Sequence, residues 1–261
     1  MRHPSRRSFE LKEKIVECLE KINPSYFDLL LPLSRWKILS VRDLKGESEY
    51  GGSDSGFYKI ISKLEKNLLI DSFFNQWSNE KFVYLSSQGA KALGKNSGGL
   101  NINRDLRFHD SLVTKVARKF LSYSFVKDLY LDFQVKEAFP LVERTPDCLI
   151  QGEIKRPFNL AIEVELTQKN RDRVREIFQT YGDSKVVNHV LYITDKKAIF
   201  NAYKKYLTQL GGEKICKKIL IMHAKNLAKG TFVLERSPIF FNYKETNLAE
   251  VFGTPMLNEE R

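Results

Sequence analysis

The chain has 261 residues, a formal net charge of +11 and a hydrophobic fraction of 42%, which predicts one or two globular domains and favours a polyanionic partner, nucleic acid first. No apolar run approaches the roughly 20 residues needed to cross a bilayer, and no apolar signal core follows the basic N-terminus, so we expect a cytoplasmic protein with no membrane partner. Cys18, Cys148 and Cys216 are too widely spaced for a disulfide framework or a zinc site, which favours reduced thiols.

Two helices are predicted before residue 34. Apolar residues at helical spacing indicate a helix over residues 8–22. A second, shorter helix is predicted over residues 25–33, where Pro32 ends it. Residues 41–44 suggest one further helical turn.

A lysine-rich helix is predicted over residues 56–67. Its outer positions are Lys59, Lys63 and Lys66, and its apolar stripe consists of Tyr58, Ile60, Ile61 and Leu64. Residues 68–74 and 81–85 predict a β-hairpin around a polar turn. A closing helix over residues 87–93 and a Gly-rich linker over residues 94–99 follow.

This order of elements resembles that of winged helix-turn-helix proteins. The strings SGFYKIISKLEKNLLI and KFVYLSSQGAKAL look like their recognition helix, wing and closing helix. The resemblance implies a DNA-binding domain over residues 1–96 whose recognition helix enters the major groove of double-stranded DNA. The alternative is a protein-binding winged helix whose lysines only face solvent. Trp77, at the tip of the hairpin, either stacks on a base or sugar or folds back on the domain. The implied DNA contacts are Ser53, Ser55, Tyr58, Lys59 and Lys63.

The rest of the chain alternates strands and helices. An amphipathic helix over residues 104–125 carries His109 and Asp110 in its first turn, and residues 129–135 alternate as a strand. The pattern predicts an α/β domain, α+β for the whole chain, with a mixed central sheet flanked by helices. Residues 237–261 are weakly patterned and are expected to be peripheral. The other predicted elements are helices over residues 170–181 and 198–210 and strands over residues 187–194, 218–223 and 231–235.

An acidic cluster in this basic chain is the first candidate for chemistry. Residues 146–150 and 159–166 predict a hairpin, with its connection at Gly152 and Pro157. In the second strand Glu163 and Glu165 alternate with apolar residues, which places both carboxylates on one polar face. Asp147 lies near them if the strands pair. Three clustered carboxylates repel one another unless a cation or protons neutralise them.

The segments Pro146-Asp147 and Glu163-Val164-Glu165, in this order of elements, resemble the motif of the restriction-endonuclease-like or PD-(D/E)XK nuclease fold, here over residues 97–261. The resemblance implies that Asp147, Glu163 and Glu165 hold Mg²⁺ or Mn²⁺ for the hydrolysis of DNA phosphodiesters. Those enzymes usually have lysine where this chain has Glu165, so Lys169 is the candidate substitute cation and Gln168 a candidate support. The alternative is that Glu-x-Glu is ordinary strand surface.

A wider resemblance covers residues 8–200. It rests on Arg107-Phe108-His109-Asp110, on Thr145-Pro146-Asp147, and on Glu163-Val164-Glu165-Leu166-Thr167 before a helix that ends at Tyr181. These strings are similar to those of the replication-relaxation family of plasmid and mobile-element proteins, which usually show Glu-Val-Asp at the third motif.

The resemblance implies one of two functions. The first is a Mg²⁺-dependent DNA endonuclease in plasmid mobilisation or replication, with His109 or Asp110 as an accessory group. The second is a non-catalytic DNA-binding accessory or regulatory protein that recruits a relaxase or another partner. A homodimer is also allowed. The absence of a Gly-rich phosphate loop disfavours a nucleotide-dependent enzyme.

Overall fold

The structure, a computed structural model, describes residues 28–94, 102–210 and 212–253. They divide into two compact units between Ser111 and Leu112, within the helix Arg107–Phe120. The predicted helix over residues 8–22, Cys18 and nearly all of the predicted linker lie outside the described residues. In the part of the chain that is described, every helix is too short or too polar to cross a bilayer.

The first unit contains a three-stranded antiparallel sheet of order β1-β3-β2. The predicted hairpin, the helix before it and the closing helix are confirmed. The sequence did not predict β1, since three residues are too few to show a period of two. The elements are α1 (Leu31–Trp36), β1 (Ile38–Ser40), α2 (Val41–Glu47), α3 (Asp54–Lys66), β2 (Ile70–Phe74), β3 (Lys81–Leu85) and α4 (Ser87–Ala92).

Two helix predictions in this unit were wrong in detail. Pro32 lies in the first turn of α1 and does not end a helix. Proline is tolerated there because the first N–H groups of a helix have no partner within it. In α3 the buried stripe consists of Phe57, Ile61 and Leu64, so Tyr58 points outward and is 49% exposed.

The second unit is built around a seven-stranded mixed sheet of order β10-β9-β8-β7-β6-β5-β4. The central strands β6, β7 and β8 are parallel, and the other neighbours are antiparallel. The predicted mixed sheet with parallel pairs is therefore confirmed. Its strands are β4 (Val126–Leu131), β5 (Cys148–Glu153), β6 (Pro157–Val164), β7 (His189–Thr194), β8 (Ile219–His223), β9 (Ile239–Phe241) and β10 (Lys244–Thr246).

Helices flank this sheet. On one face, Val174, Ile177 and Phe178 share an apolar core with Ala161 and Ile221 of the strands. This confirms the predicted inward face of the helix after the acidic cluster. The helices are α5 (Arg107–Phe120), α6 (Asp132–Ala138), α7 (Arg171–Asp183), α8 (Lys197–Leu210), α9 (Glu213–Cys216) and α10 (Leu248–Phe252), with a 3₁₀ turn at Leu227–Lys229.

The strand predicted over residues 129–135 was wrong in its second half. The strand ends at Leu131, and Asp132 begins α6. The side chain of Gln134 accepts the N–H of Leu131 at 2.9 Å, and Asp132 places a negative charge in the first turn. Both features stabilise a helix start, and this local capping outweighs the alternating pattern.

The C-terminal predictions were also wrong. Residues 231–235 form no strand. The segment expected to be peripheral instead supplies β9, β10 and α10, and it buries Phe240, Leu248 and Phe252. Strands of three residues and a five-residue helix are too short to produce a recognisable hydrophobic period.

The connection of the β5–β6 hairpin is shorter than predicted. Both Gly152 and Pro157 belong to the paired strands, and only residues 154–156 connect them. The ring of Phe158 lies over Gly152, where a Cβ atom would come within 2.5 Å of it. Glycine is therefore required by close packing within the strand and not by a turn.

Candidate carboxylate site and nucleic-acid interface

Strand register brings Asp147 to Glu163. Cys148 of β5 pairs with Ile162 of β6, so the residue before the first faces the residue after the second in this antiparallel pair. The carboxylate of Asp147 accepts the N–H of Val164 through Oδ2 at 2.8 Å. This bond holds Asp147 against the end of β6, next to Glu163.

Both glutamates are buried, which the sequence did not predict. The residues Glu163 and Glu165 are 6% and 4% exposed. The apolar core formed with α7 and α8 covers the face of β6 that carries Ala161, and Glu163 lies two residues further along that face. The alternative that Glu-x-Glu is ordinary strand surface was therefore wrong, because β6 is covered on both sides.

A cation and a tyrosine hydroxyl donate hydrogen bonds to Glu163. The guanidinium of Arg144, in the loop before β5, donates from Nε to Glu163 Oε1 at 3.1 Å. The hydroxyl of Tyr181, from α7, donates to the same oxygen. Burial and the charge of Asp147 raise the pKa of Glu163 to about 7, against the opposing effect of Arg144. At neutral pH this carboxyl is therefore near the midpoint of its titration.

Two buried phenols lie beside this carboxylate. Burial and the charge of Glu163 raise the pKa values of Tyr181 and Tyr192 well above the ordinary value for tyrosine, so both hydroxyls stay protonated. In the described part of the chain the Tyr192 hydroxyl has no hydrogen-bond partner. These neutral phenols add no positive charge beside Glu163, so Arg144 is the cation that opposes the effects of burial and Asp147 on its pKa.

A second, parallel arrangement neutralises Glu165. The ammonium group of Lys169 forms an ion pair with Glu165 Oε2, and the Tyr203 hydroxyl donates to the same oxygen at 3.0 Å. Lys169, which the sequence named as the candidate cation, therefore lies against Glu165. The side chain of Gln168 contacts a different tyrosine, since its Nε2 donates to the Tyr206 hydroxyl at 3.5 Å.

This arrangement does not fit a magnesium ion. Among residues 28–94, 102–210 and 212–253, no group of three or more His, Cys, Asp or Glu side chains is placed to hold a metal. Protein cations already neutralise both glutamates, through Arg144 at Glu163 and Lys169 at Glu165. A metal ion would have to displace these partners before the carboxylates could bind it.

The sequence did not predict Arg144 and Tyr203 as members of the cluster, and it named Tyr181 only as the end of the helix that follows the acidic motif. Arg144 stands three residues before Asp147, and a basic residue so close to an acidic motif was the available signal. The tyrosines gave none, because aromatic residues on an inward helix face predict packing first.

The predicted accessory groups His109 and Asp110 are engaged within the first unit. A carboxylate oxygen of Asp110 lies 2.9 Å from Lys37 Nζ, and the other lies 3.4 Å from His109 Nδ1. Burial opposes ionisation of Asp110, but the bonds to His109 and Lys37 outweigh it and lower the pKa of Asp110. This carboxylate therefore stabilises the start of α5 in its ionised form.

The five residues predicted to contact DNA are all exposed, on α3 and at its N-terminus. Ser53 is the N-cap, and its Oγ accepts the N–H of Gly56 at 3.1 Å. Its hydroxyl lies 3.2 Å from that of Ser55. One exposed side of α3 carries Ser55, Tyr58, Lys59, Ser62, Lys63 and Lys66.

The carboxylate of Glu65, on α3, binds both strands of the hairpin. Glu65 accepts from Lys81 Nζ at 2.9 Å and from the hydroxyl of Ser72. Because Ser72 and Lys81 lie on β2 and β3, Glu65 fixes both strands against the helix. We call this contact the Glu65 clamp.

In comparisons with known proteins, no family model, no curated protein and no solved structure matched this chain.

Proposed function

We propose that this protein binds double-stranded DNA through a winged helix-turn-helix unit and acts as a non-catalytic accessory or regulator. The observation that carries the proposal is the exposed side of α3, where Lys59, Lys63 and Lys66 face outward beside the hairpin. Lysines that neutralise phosphates release counterions, which gives sequence-independent affinity. Serine and tyrosine hydroxyls between them supply hydrogen bonds to bases or backbone.

The order of elements supports the same proposal. The chain passes through α1, β1, α2 and α3, then the β2–β3 hairpin and α4, with the short β1 strand paired to the hairpin. In a winged helix-turn-helix domain the helix before the hairpin enters the major groove, and here that helix is α3. Recruitment of a relaxase and a role on a plasmid or mobile element belong to the proposal through the sequence resemblance alone.

The first test is the salt dependence of DNA binding. We expect the double variant Lys59→Ala/Lys63→Ala to lower the slope of log affinity against log salt by about 2, since each phosphate contact contributes about 0.9. Anisotropy titrations of a labelled duplex over a series of salt concentrations measure this slope. Lys196→Ala/Lys197→Ala removes the same charge from exposed positions of the second unit and is the matched control. Equal losses in both variants, or no duplex binding by the unaltered protein, would contradict the proposal.

A second candidate function is a metal-dependent DNA endonuclease. The observation in its favour is that Asp147 lies against the end of β6 beside Glu163, while Lys169 contacts Glu165. The same observation carries an obstacle, because both glutamates would have to leave their protein cations before they could bind a metal ion. The accessory function requires no such rearrangement.

Incubation with supercoiled plasmid separates the two candidates. With Mg²⁺ or Mn²⁺ we expect no nicking above the level of the Asp147→Ala and Glu163→Ala variants, because the carboxylates are occupied by Arg144, Lys169 and tyrosine hydroxyls. Gel separation of nicked from supercoiled plasmid provides the measurement. Metal-dependent nicking that is lost in both variants would establish the endonuclease and overturn the non-catalytic assignment.

A further inference from the structure

Three aromatic side chains are exposed on α3 and the hairpin. Tyr58, Phe74 and Trp77 are 49%, 61% and 65% exposed. Tyr58 and Phe74 line one groove between α2, α3 and the hairpin, with a volume of about 390 Å³. Single exposed apolar residues are common on protein surfaces, whereas apolar surface that is contiguous and rimmed by polar residues is typical of binding grooves.

Strand alternation explains why Phe74 faces this groove. Phe73 points to the other side of the hairpin, where it stacks on Phe82 with ring centroids 5.5 Å apart. Phe74 pairs with Lys81 in the strand register and shares its face with Ser72, so it lies on the side of the Glu65 clamp. The clamp holds that face against α3, and Phe74 is the next residue of β2 on the same face beyond it.

Hydrogen bonds of Asn75 define the backbone at the tip of the hairpin, where Trp77 is exposed. Asn75 is only 1% exposed, and its Oδ1 accepts the N–H of Trp77 at 2.8 Å. The carbonyl of Asn75 also accepts the N–H of Asn79 at 2.8 Å. These bonds form an Asx-type turn, so a defined backbone presents Trp77 to solvent.

The charge around the groove favours a polyanion. Arg42 lines the groove together with Ser78 and Asn79, and Lys59 and Lys63 continue along the exposed side of α3. Glu80 is the acidic residue of the lining. Aromatic faces for stacking next to cations and amides for a sugar–phosphate chain are the combination used to bind single-stranded nucleic acid.

We propose that this groove and the hairpin tip bind unpaired bases, so that the DNA ligand contains a single-stranded or melted segment next to the duplex held by α3. The inference rests on the proposed DNA-binding function and specifies its substrate class. In duplex DNA the base faces are covered by stacking, so Phe74 and Trp77 can stack on bases only where a strand is open. A peptide partner with apolar side chains would require apolar contact but not aromatic rings.

Substitution by leucine separates stacking from apolar contact. We expect Phe74→Leu/Trp77→Leu to lose about tenfold to a hundredfold in affinity for a single-stranded oligothymidylate, the loss typical of removed base–aromatic contacts. Affinity for a fully paired duplex should stay within about twofold, and the salt slope should not change, since no charge is removed. Circular dichroism melting of the variant verifies its fold, and Trp77→Phe, which keeps a ring, should retain most of the affinity.

Tryptophan fluorescence gives an independent measurement. The chain contains two tryptophans, of which Trp36 is 1% exposed and donates to Glu47 at 2.8 Å. Quenching by oligothymidylate should therefore come from Trp77, and it should disappear in Trp77→Phe.

The outcomes separate this inference from the function on which it rests. If duplex binds and depends on Lys59 and Lys63, but the leucine variant keeps its affinity for single strands, the groove does not bind bases and the winged-helix function stands. Equal losses for duplex and single strands in the leucine variant also overturn the inference. If the unaltered protein binds neither duplex nor single strands, both proposals fail.

Discussion

Replacing Arg144 with methionine is expected to lower the free energy of unfolding by about 3 kcal/mol at pH 8, the usual cost of removing one partner from a buried ion pair. The lost bond is the one from Arg144 Nε to Glu163, whose side chain is 8% exposed. Methionine keeps much of the apolar stem, so packing changes little. At pH 5 the cost should fall below about 1 kcal/mol, because the carboxyl of Glu163, with its pKa of about 7, already carries a proton there and no charge is left unpaired. Denaturant unfolding at both pH values measures the difference.

The matched control is Arg173→Met on the surface of α7. Arg173 pairs with Glu176 at 2.7 Å, but both side chains are more than half exposed. Pairs of this kind contribute about 0.5 kcal/mol or less, so the control should change stability little at either pH. A loss at Arg144 no greater than the loss at Arg173 would show that the buried pair does not stabilise the fold.

The contribution of Glu163 to the free energy of unfolding should fall as pH rises through neutrality, and Glu163→Gln should remove this contribution. In the unfolded chain the carboxyl ionises near the ordinary glutamate pKa of 4.5, whereas in the folded protein it holds its proton up to a pKa of about 7. The contribution of Glu163 is therefore fully present below pH 4.5 and is lost as pH rises through 7. Between pH 5 and 8 the free energy of unfolding of the unaltered protein should fall by about 2.5 kcal/mol relative to that of the glutamine variant.

The quantity to measure is the difference in unfolding free energy between the unaltered protein and Glu163→Gln at each pH, because other groups also titrate. His189, for example, has a pKa lowered by burial and by Lys218, which acts in the opposite direction. Glu176→Gln, at an exposed carboxylate, is the control and should leave the profile parallel to that of the unaltered protein. Parallel profiles for Glu163→Gln would show that this carboxyl does not carry its proton to neutral pH in the folded state.

Sequence patterns predicted most of the elements, because long periodic segments carry their own signal. The inward face of α7 and the parallel core strands followed from buried residues at regular spacing. Local capping was less visible, as Gln134 shows by turning half of a predicted strand into α6. The three-residue strands β1, β9 and β10 depend on pairing with neighbours distant in sequence, which no local pattern reports.

The sequence named the acidic residues of the candidate site but did not predict that they are buried. Alternation placed Glu163 and Glu165 on one face of the strand, and the resemblance to the nuclease motif named Lys169, which contacts Glu165. Burial of the acids depends on α7 and α8, which supply Tyr181 and Tyr203 from distant parts of the chain. The same Glu-x-Glu string on a strand with one open face would have been solvated, so the string alone could not distinguish a surface patch from a buried pair.

The Glu65 clamp has a consequence for binding entropy. A helix and a hairpin that moved independently would each lose freedom when a ligand ordered them, and that loss would weaken the complex. Here Glu65 binds Ser72 and Lys81 in the protein itself, so this ordering takes place when the chain folds. Relative motion of α3 and the hairpin is thereby restricted before any ligand binds.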